Sequence, residues 1–358
     1  MHRDELPGHI LDAVRRGVAI PALPLALDAD RKFDERRERA LVRYYVDAGA
    51  GGLAAGVHST QFEIHDPKVG LLEPVLRLAS DTAQAWGRRR GRELFRVAGV
   101  IGPTDQAVRE AGLARELGYH ACLLGLGALR DEGTDTLLAH CRAVAEVMPL
   151  VGFYLQPAAG GRVLPYAFWR AFADIENVVA VKIAPFNRYQ TLDVVRAVCE
   201  AGRARDIALY TGNDDHIVLD LLAPHRVRTS GGEVEARMVG GLLGHWAFWT
   251  RRAVEQLDRI REVCDAGGPV PRELLTLAVQ VTDVNAAAFD AANGYRGVLP
   301  GVHEFLRRQG LLAGTWCLDP SLDLSPGQAR AIDRVCRQYP ELNDDAFVAA
   351  HLDEWLAG

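Results

Sequence analysis

Val178-Val179-Ala180-Val181-Lys182-Ile183-Ala184 holds six apolar residues, four of them β-branched, and one lysine. So short a run with no polar face reads as a strand covered on both sides, as in a parallel sheet under crossover helices. Runs of the same character lie at 18–24, 52–57, 95–101, 120–125, 150–156 and 207–212, and a more polar eighth at 226–230. Amphipathic helical patterns separate them at 34–47, 71–88, 106–117, 135–147 and 189–201. Eight strand–helix units in succession predict a closed (β/α)8 barrel over 17–250 rather than an open doubly wound sheet. No G-x-G-x-x-G follows the first strand, which weakens the dinucleotide-binding alternative.

A barrel takes roughly 250 residues, and the chain has 358. The surplus is assigned to an N-terminal helical extension over 1–16 and a C-terminal α-helical domain over 251–358, with helical patterns at 252–266, 272–292, 302–309 and 344–356. Ser325-Pro326-Gly327-Gln328 reads as a capping box opening a further helix to about 338.

Hydrophobic residues make up 49% of the chain and charged residues 25%, within the range of an ordinary folded protein. The net charge of −6 is spread among interleaved Lys, Arg, Asp and Glu, which argues against nucleic acid or an acidic membrane as partner. Arg88-Arg89-Arg90 is read as a solvated helix end. Six cysteines without a C-x-x-C pair indicate reduced residues rather than a disulfide framework or zinc site. With no apolar leader and no long uncharged apolar run, a cytoplasmic location is expected.

Lys182 is the residue with the most chemistry in it. Strand alternation puts it on one face with Val178 and Ala180, small enough beside it for a barrel interior, and near the C-terminal strand end where barrel active sites form. Burial favours the neutral amine, the nucleophile that a carbonyl carbon needs to form an imine. The competing reading is a lysine whose head reaches the rim or pairs with a carboxylate. One unit earlier, Leu150-Val151-Gly152-Phe153-Tyr154-Leu155-Gln156-Pro157 offers Tyr154, grouped by alternation with Gly152 and Gln156. Its phenol is expected beside the Lys182 amine as a proton shuttle; alternatively it is a buried tyrosine bonded to backbone.

With these residues in place, the chain resembles the dihydrodipicolinate synthase and N-acetylneuraminate lyase family of class I aldolases, as a divergent member. Tyr154-Leu155-Gln156-Pro157 is similar to that family's Tyr-Asn-x-Pro, Lys182 after Asn177-Val178-Val179-Ala180-Val181 to its strand-6 lysine, and Thr211-Gly212-Asn213-Asp214-Asp215 to its Ser/Thr-Gly-x-Asp. The resemblance implies the barrel, a Lys182 imine, a Tyr154 proton shuttle, a homotetramer or dimer, and no metal or organic cofactor. The strand-2 carboxylate-binding loop falls at Gly56-Val57-His58-Ser59-Thr60-Gln61-Phe62-Glu63, making His58, Ser59 and Thr60 candidate substrate ligands. Gln156, Gly212, Asp214 and Thr229 complete the candidate binding set, with Asn187 and Glu233 as further wall residues. Ala159 stands where the synthases carry an arginine that grips a second carboxylate, although Arg162 is near. Gly125-Leu126-Gly127-Ala128-Leu129 replaces their strand-4 tyrosine pair. Both departures argue against dihydrodipicolinate synthesis itself, and Phe62 and Phe186 hint at a less polar substrate.

The expected activity is a Schiff-base aldolase or lyase that cleaves or forms a carbon–carbon bond in a pyruvate-type 2-oxo acid, its only expected small-molecule partner. Alternatives are a 2-keto-3-deoxy acid dehydratase or hydratase using the same lysine, or a non-catalytic binder. A metal-dependent aldolase is disfavoured because His58, His120, His216, His225 and His245 lie on separate units without ligand spacing.

Overall fold

Parallel strands dominate the molecule, a computed structural model that describes residues 1–357. They are β1 (Ala19–Pro21), β2 (Gly52–Ala55), β3 (Phe95–Val100), β4 (Ala121–Leu124), β5 (Leu150–Leu155), β6 (Val178–Ala184) and β7 (Ala208–Thr211). A hairpin of β8 (His225–Thr229) and β9 (Gly232–Ala236) follows, then β10 (Met238–Leu243). One sheet holds eight of these in the order β1-β10-β7-β6-β5-β4-β3-β2, and a parallel bridge between Ala22 and Ala54 links the two ends of that order. The fold is a (β/α)8 barrel with C-terminal helices.

The eighth barrel strand is not where the sequence put it. Residues 226–230 belong to the antiparallel hairpin β8–β9, which forms its own two-stranded sheet. Its alternating exposed arginines mark a ribbon with a wet face, whereas a barrel strand is buried on both sides. Met238-Val239-Gly240-Gly241-Leu242-Leu243 takes the eighth place, and its paired glycines weakened the strand signal. Gly240 is required there. A Cβ on it would sit 2.7 Å from the Tyr210 ring and 2.5 Å from the Val18 carbonyl oxygen.

By contact density the chain divides into two compact units, Met1–Val18 with Phe95–Leu242 and Ala19–Leu94 with Leu243 onward. In the first, β3, β4, β5, β6 and β7 run parallel in consecutive register and β10 pairs with β7. Every residue of β3, β4 and β6 is buried, as strands covered on both faces require. Between β5 and β6 the register shifts: Leu150 pairs with Val178, but Val151 pairs with Ala180. The N-terminal helix α1 (Gly8–Arg16) is tied in by Tyr210, whose hydroxyl donates to the Val14 carbonyl at 2.9 Å and accepts from the Val18 N–H at 3.2 Å.

In the second unit, the helix Glu35–Ala48 is capped by the Asp34 carboxylate, which accepts from the Arg37 N–H at 3.1 Å. Asp47 near its end accepts from the Trp86 and Trp355 indoles at 3.0 and 2.8 Å and from Arg90 at 2.9 Å. Arg90 therefore does not belong to a merely solvated helix end; it also bonds Glu354. The helix expected from Ser325 begins later, at Gln328. The Gln328 side chain does accept the Ser325 N–H at 3.0 Å, one half of the expected box, but its amide donates to the carbonyls of Ala287, Ala288 and Gly297. Among the described residues, no helix is long and apolar enough to cross a membrane.

Replacing Tyr210 by Phe leaves the Val18 N–H and Val14 carbonyl buried without that hydroxyl, so urea unfolding is expected to show a loss of about 1–3 kcal/mol. Unchanged stability would mean that the hydroxyl does not anchor α1.

Candidate active site

Lys182 lies near the C-terminal end of β6, 7% exposed. It pairs across the sheet with Phe153 on one side and Tyr210 on the other. Its Nζ stands 4.7 Å from the centre of the Phe153 ring, so the two side chains share a face. Gly212 at the end of β7 makes that possible: a Cβ there would fall 2.8 Å from Lys182 Cε and 2.9 Å from its Cγ. Burial pushes the Lys182 amine down to about 8, and the negative charge of Asp214 opposes the shift.

The loop that carries Asp214 is held by a buried polar network. Asp214, 5% exposed, donates its backbone N–H to the Gly212 carbonyl at 3.1 Å. Behind it, Asp220 accepts from the Thr211 hydroxyl at 2.7 Å, the Asn213 amide at 2.9 Å and Arg188 at 2.8 Å, and pairs with His216 Nδ1 at 2.9 Å. Burial works against its charge, but the His216, Arg188, Asn213 and Thr211 contacts outweigh it and hold the Asp220 carboxyl below the usual range. Asn213 also accepts the N–H of Phe186 at 3.0 Å, bracing a residue whose φ of 52° is unfavourable for a side chain this large. The two loops after β6 and β7 are thus joined by one set of hydrogen bonds.

Tyr154 is not part of this cluster. It pairs with Ile183 rather than Lys182, on the opposite face of the sheet. Its ring lies 5.3 Å from Trp169 on the helix Tyr166–Phe172, and its hydroxyl donates to the Leu164 carbonyl at 3.1 Å and accepts from the Leu164 N–H at 3.2 Å. Burial raises its hydroxyl above the ordinary phenol value, with the Leu164 bond opposing. Gly152 shares that outer face: a Cβ on it would meet the Phe172 ring at 2.8 Å. The expected phenol–amine pair therefore does not form. The register shift at Leu150/Val151 displaces β5 by one residue, and in a strand one residue is a change of face. Phe153 takes the place beside the lysine that alternation had given to Tyr154. The aromatic-rich segment Tyr166-Ala167-Phe168-Trp169, which calls for an aromatic partner beneath it, was the available signal.

The remaining candidates fall as follows. Gln156, half-buried at the end of β5, donates its backbone N–H to Ala184 and accepts from Ala159 and Gly161. Asn187 caps the helix Arg188–Glu200, accepting the Tyr189 N–H at 3.0 Å. Thr229 serves the β8–β9 turn, its hydroxyl donating to the Gly232 carbonyl at 2.9 Å and accepting from the Gly231 N–H at 3.2 Å, and Glu233 is exposed on β9. The strand assignment that had brought Thr229 to the barrel end is the one corrected above. Arg162 donates to the Leu129 and Glu132 carbonyls. In the second unit, His58, Ser59 and Thr60 form a tight turn after β2. The Thr60 hydroxyl donates to the Leu23 carbonyl at 2.7 Å and accepts the Val57 N–H at 3.3 Å, while the His58 ring lies 5.7 Å from Phe62. Among the described residues, no three His, Cys, Asp or Glu side chains are grouped so as to hold a metal ion.

No family model matches the chain. It is 26% identical over 214 residues to the 4-hydroxy-tetrahydrodipicolinate synthase of Bifidobacterium longum (strain DJO10A), covering 58% of this chain and 63% of that protein. To the enzyme of the same name from Alkaliphilus oremlandii it is 27% identical over 117 residues, 32% of this chain and 38% of that one. The chain thus spans less than two thirds of the length of these curated relatives. Its structural neighbours are proteins of the dihydrodipicolinate synthase family. They include the dihydrodipicolinate synthase of Oceanobacillus iheyensis, with TM-score 0.72, 14% identity, and coverage of 93% of this chain and 99% of that one. YagE of E. coli K12, solved in complex with pyruvate, superposes with TM-score 0.69, 17% identity and coverage of 90% and 97%. The N-acetylneuraminate lyase of Fusobacterium nucleatum gives TM-score 0.68, 16% identity and coverage of 91% and 99%. At these identities the superpositions establish a shared fold.

Since the Tyr154 hydroxyl serves Leu164, Tyr154→Phe is expected to lower stability by about 1–2 kcal/mol. Covalent capture of a 2-oxo acid at Lys182 should stay within about twofold of wild type. A hundredfold loss of capture in a folded variant, the scale of a lost acid–base group, would return the phenol to the chemistry.

Proposed function

We propose that the chain is a class I lyase in which Lys182 forms an imine with a pyruvate-type 2-oxo acid. The observation that carries this reading is a buried amine, held near 8 by desolvation, at the active end of a barrel strand. Neighbours that include a synthase, a lyase and a pyruvate complex support it. Lys182 Nζ adds to the C2 carbonyl, water leaves, and the resulting iminium draws the C3–C4 bonding electrons toward nitrogen. An aldehyde departs, the enamine takes a proton at C3, and hydrolysis returns the amine with pyruvate. The reverse sequence is a condensation. Proton transfer falls to Asp214, the carboxylate whose charge acts on the lysine, because the ring beside Nζ is that of Phe153 and has no hydroxyl.

Borohydride with pyruvate and a panel of 2-oxo acids is expected to leave a reduced adduct on Lys182, read by peptide mass spectrometry. Capture should increase with pH and level off above about 8, because the neutral amine grows as pH passes the depressed value. Asp214→Asn removes the charge that holds the proton on, so the midpoint should move to lower pH. The same change should slow deuterium exchange into the pyruvate methyl group by about a hundredfold or more. No adduct from any 2-oxo acid on folded protein overturns the lyase reading, and an unshifted midpoint with undiminished exchange removes Asp214 from it.

The Tyr154 phenol is absent from beside Lys182 and the hydroxyl of its register neighbour Tyr210 is engaged by Val14 and Val18, which favours one second reading, a non-catalytic binder of the same acids. Equal ligand affinity in wild type and Lys182→Ala, with no adduct in either, would select it. Assembly into a tetramer or dimer belongs to the same proposal. It is supported by the exposed pair Leu275 and Val279, one turn apart on the helix Arg272–Ala288 and 48% and 69% exposed. Sedimentation as a monomer at micromolar concentration would remove it.

A further inference from the structure

At the N-terminal ends of β7 and β10, the opposite end of the strands from Gly212 and Asp214, lies a cavity of about 210 Å³. Three arginines line it: Arg15 from α1, Arg205 from the turn before β7, and Arg237 between β9 and β10. Ile207 and Val239 give it an apolar floor. Val239 sits where the β7–β10 register breaks, between Met238 and Gly240, so the local backbone departs from the regular ladder.

Two of these arginines, Arg15 and Arg205, are only partly matched by the carboxylates around them. The cavity's one lining carboxylate, Glu235, is held by Arg226 at 3.0 Å. Asp206 lies 3.7 Å from Arg15, but its shorter contacts go to Arg3 at 3.1 Å and Arg203 at 3.2 Å. Arg15 Nε is buried with no hydrogen-bond partner, and Arg205, exposed at the cavity mouth, has no ion-pair or hydrogen-bond partner among the described residues. A buried guanidinium N–H without an acceptor is costly, and guanidinium forks match the geometry of carboxylate and phosphate oxygens.

We propose that this cavity binds a small polyvalent anion, a compact molecule bearing phosphate or more than one carboxylate, at a site separate from Lys182. The arginines supply the fork and the apolar floor accommodates a short carbon body. Because the cavity opens to solvent, the interaction weakens with salt, which screens exposed charges over about 8 Å at physiological ionic strength.

The test is isothermal titration of the full chain at low ionic strength, with inorganic phosphate in one arm and citrate in the other. Saturable binding with one site per chain is expected in at least one arm, phosphate alone pointing to the phosphate class and citrate alone to the carboxylate class. Arg15→Gln/Arg205→Gln should weaken binding at least tenfold, with capture of pyruvate at Lys182 unchanged and far-ultraviolet circular dichroism confirming the fold. Absence of saturable binding in both arms overturns the proposal. So does wild-type affinity in the double variant, or competition of the bound anion by a 2-oxo acid that Lys182 captures.

Discussion

An amine buried in the inner layer of a barrel is the constraint on which the rest of this site depends. Water is largely excluded from Lys182, so its charged form is destabilised, and its neighbours determine how far. Gly212 gives way to the side chain, Phe153 presents a ring face to the nitrogen, and Asp214 supplies the opposing charge. The ring face attracts a cation but offers no exchangeable proton. The electrostatics of the lysine thus come from an aromatic neighbour and a single carboxylate.

Around that amine the chain separates chemistry from framework by the faces of its strands. On β5 the outward residues, Gly152 and Tyr154, pack against Trp169 and Phe172, and the Tyr154 hydroxyl completes the backbone bonding of Leu164. Just past β7 the inward Gly212 serves the lysine, while Thr211 on the other face feeds the Asp220 network. That network fixes Asn213 and through it Phe186, so the loops flanking Lys182 share one anchor. The bonds of Asp220 to Thr211, Asn213 and Arg188 hold the loop carrying Asp214.

Much was legible in the chain itself. Seven of the eight barrel strands, five of the helices between them and the helical tail follow from apolar runs and their spacing, since burial on both faces leaves a compositional trace that needs no knowledge of neighbours. Lys182 was legible for the same reason, as a charge in a run that otherwise has none. The eighth strand was hidden because Gly240 answers to Tyr210 and Val18, distant in sequence, and the neighbouring hairpin alternates more plainly.

Tertiary structure alone decided which face each residue takes. The sequence determined that Lys182 is buried and that Phe153 and Tyr154 lie on the strand beside it. Whether ring or phenol meets the amine depends on a one-residue register shift between β5 and β6, and a strand's side chains alternate with a period of two. Local pattern cannot carry that information, because the shift is a property of two strands hydrogen-bonded to each other. The partnership of Lys182 with Asp214, and the gathering of Arg15, Arg205 and Arg237 around one cavity, were likewise written only in the folded chain.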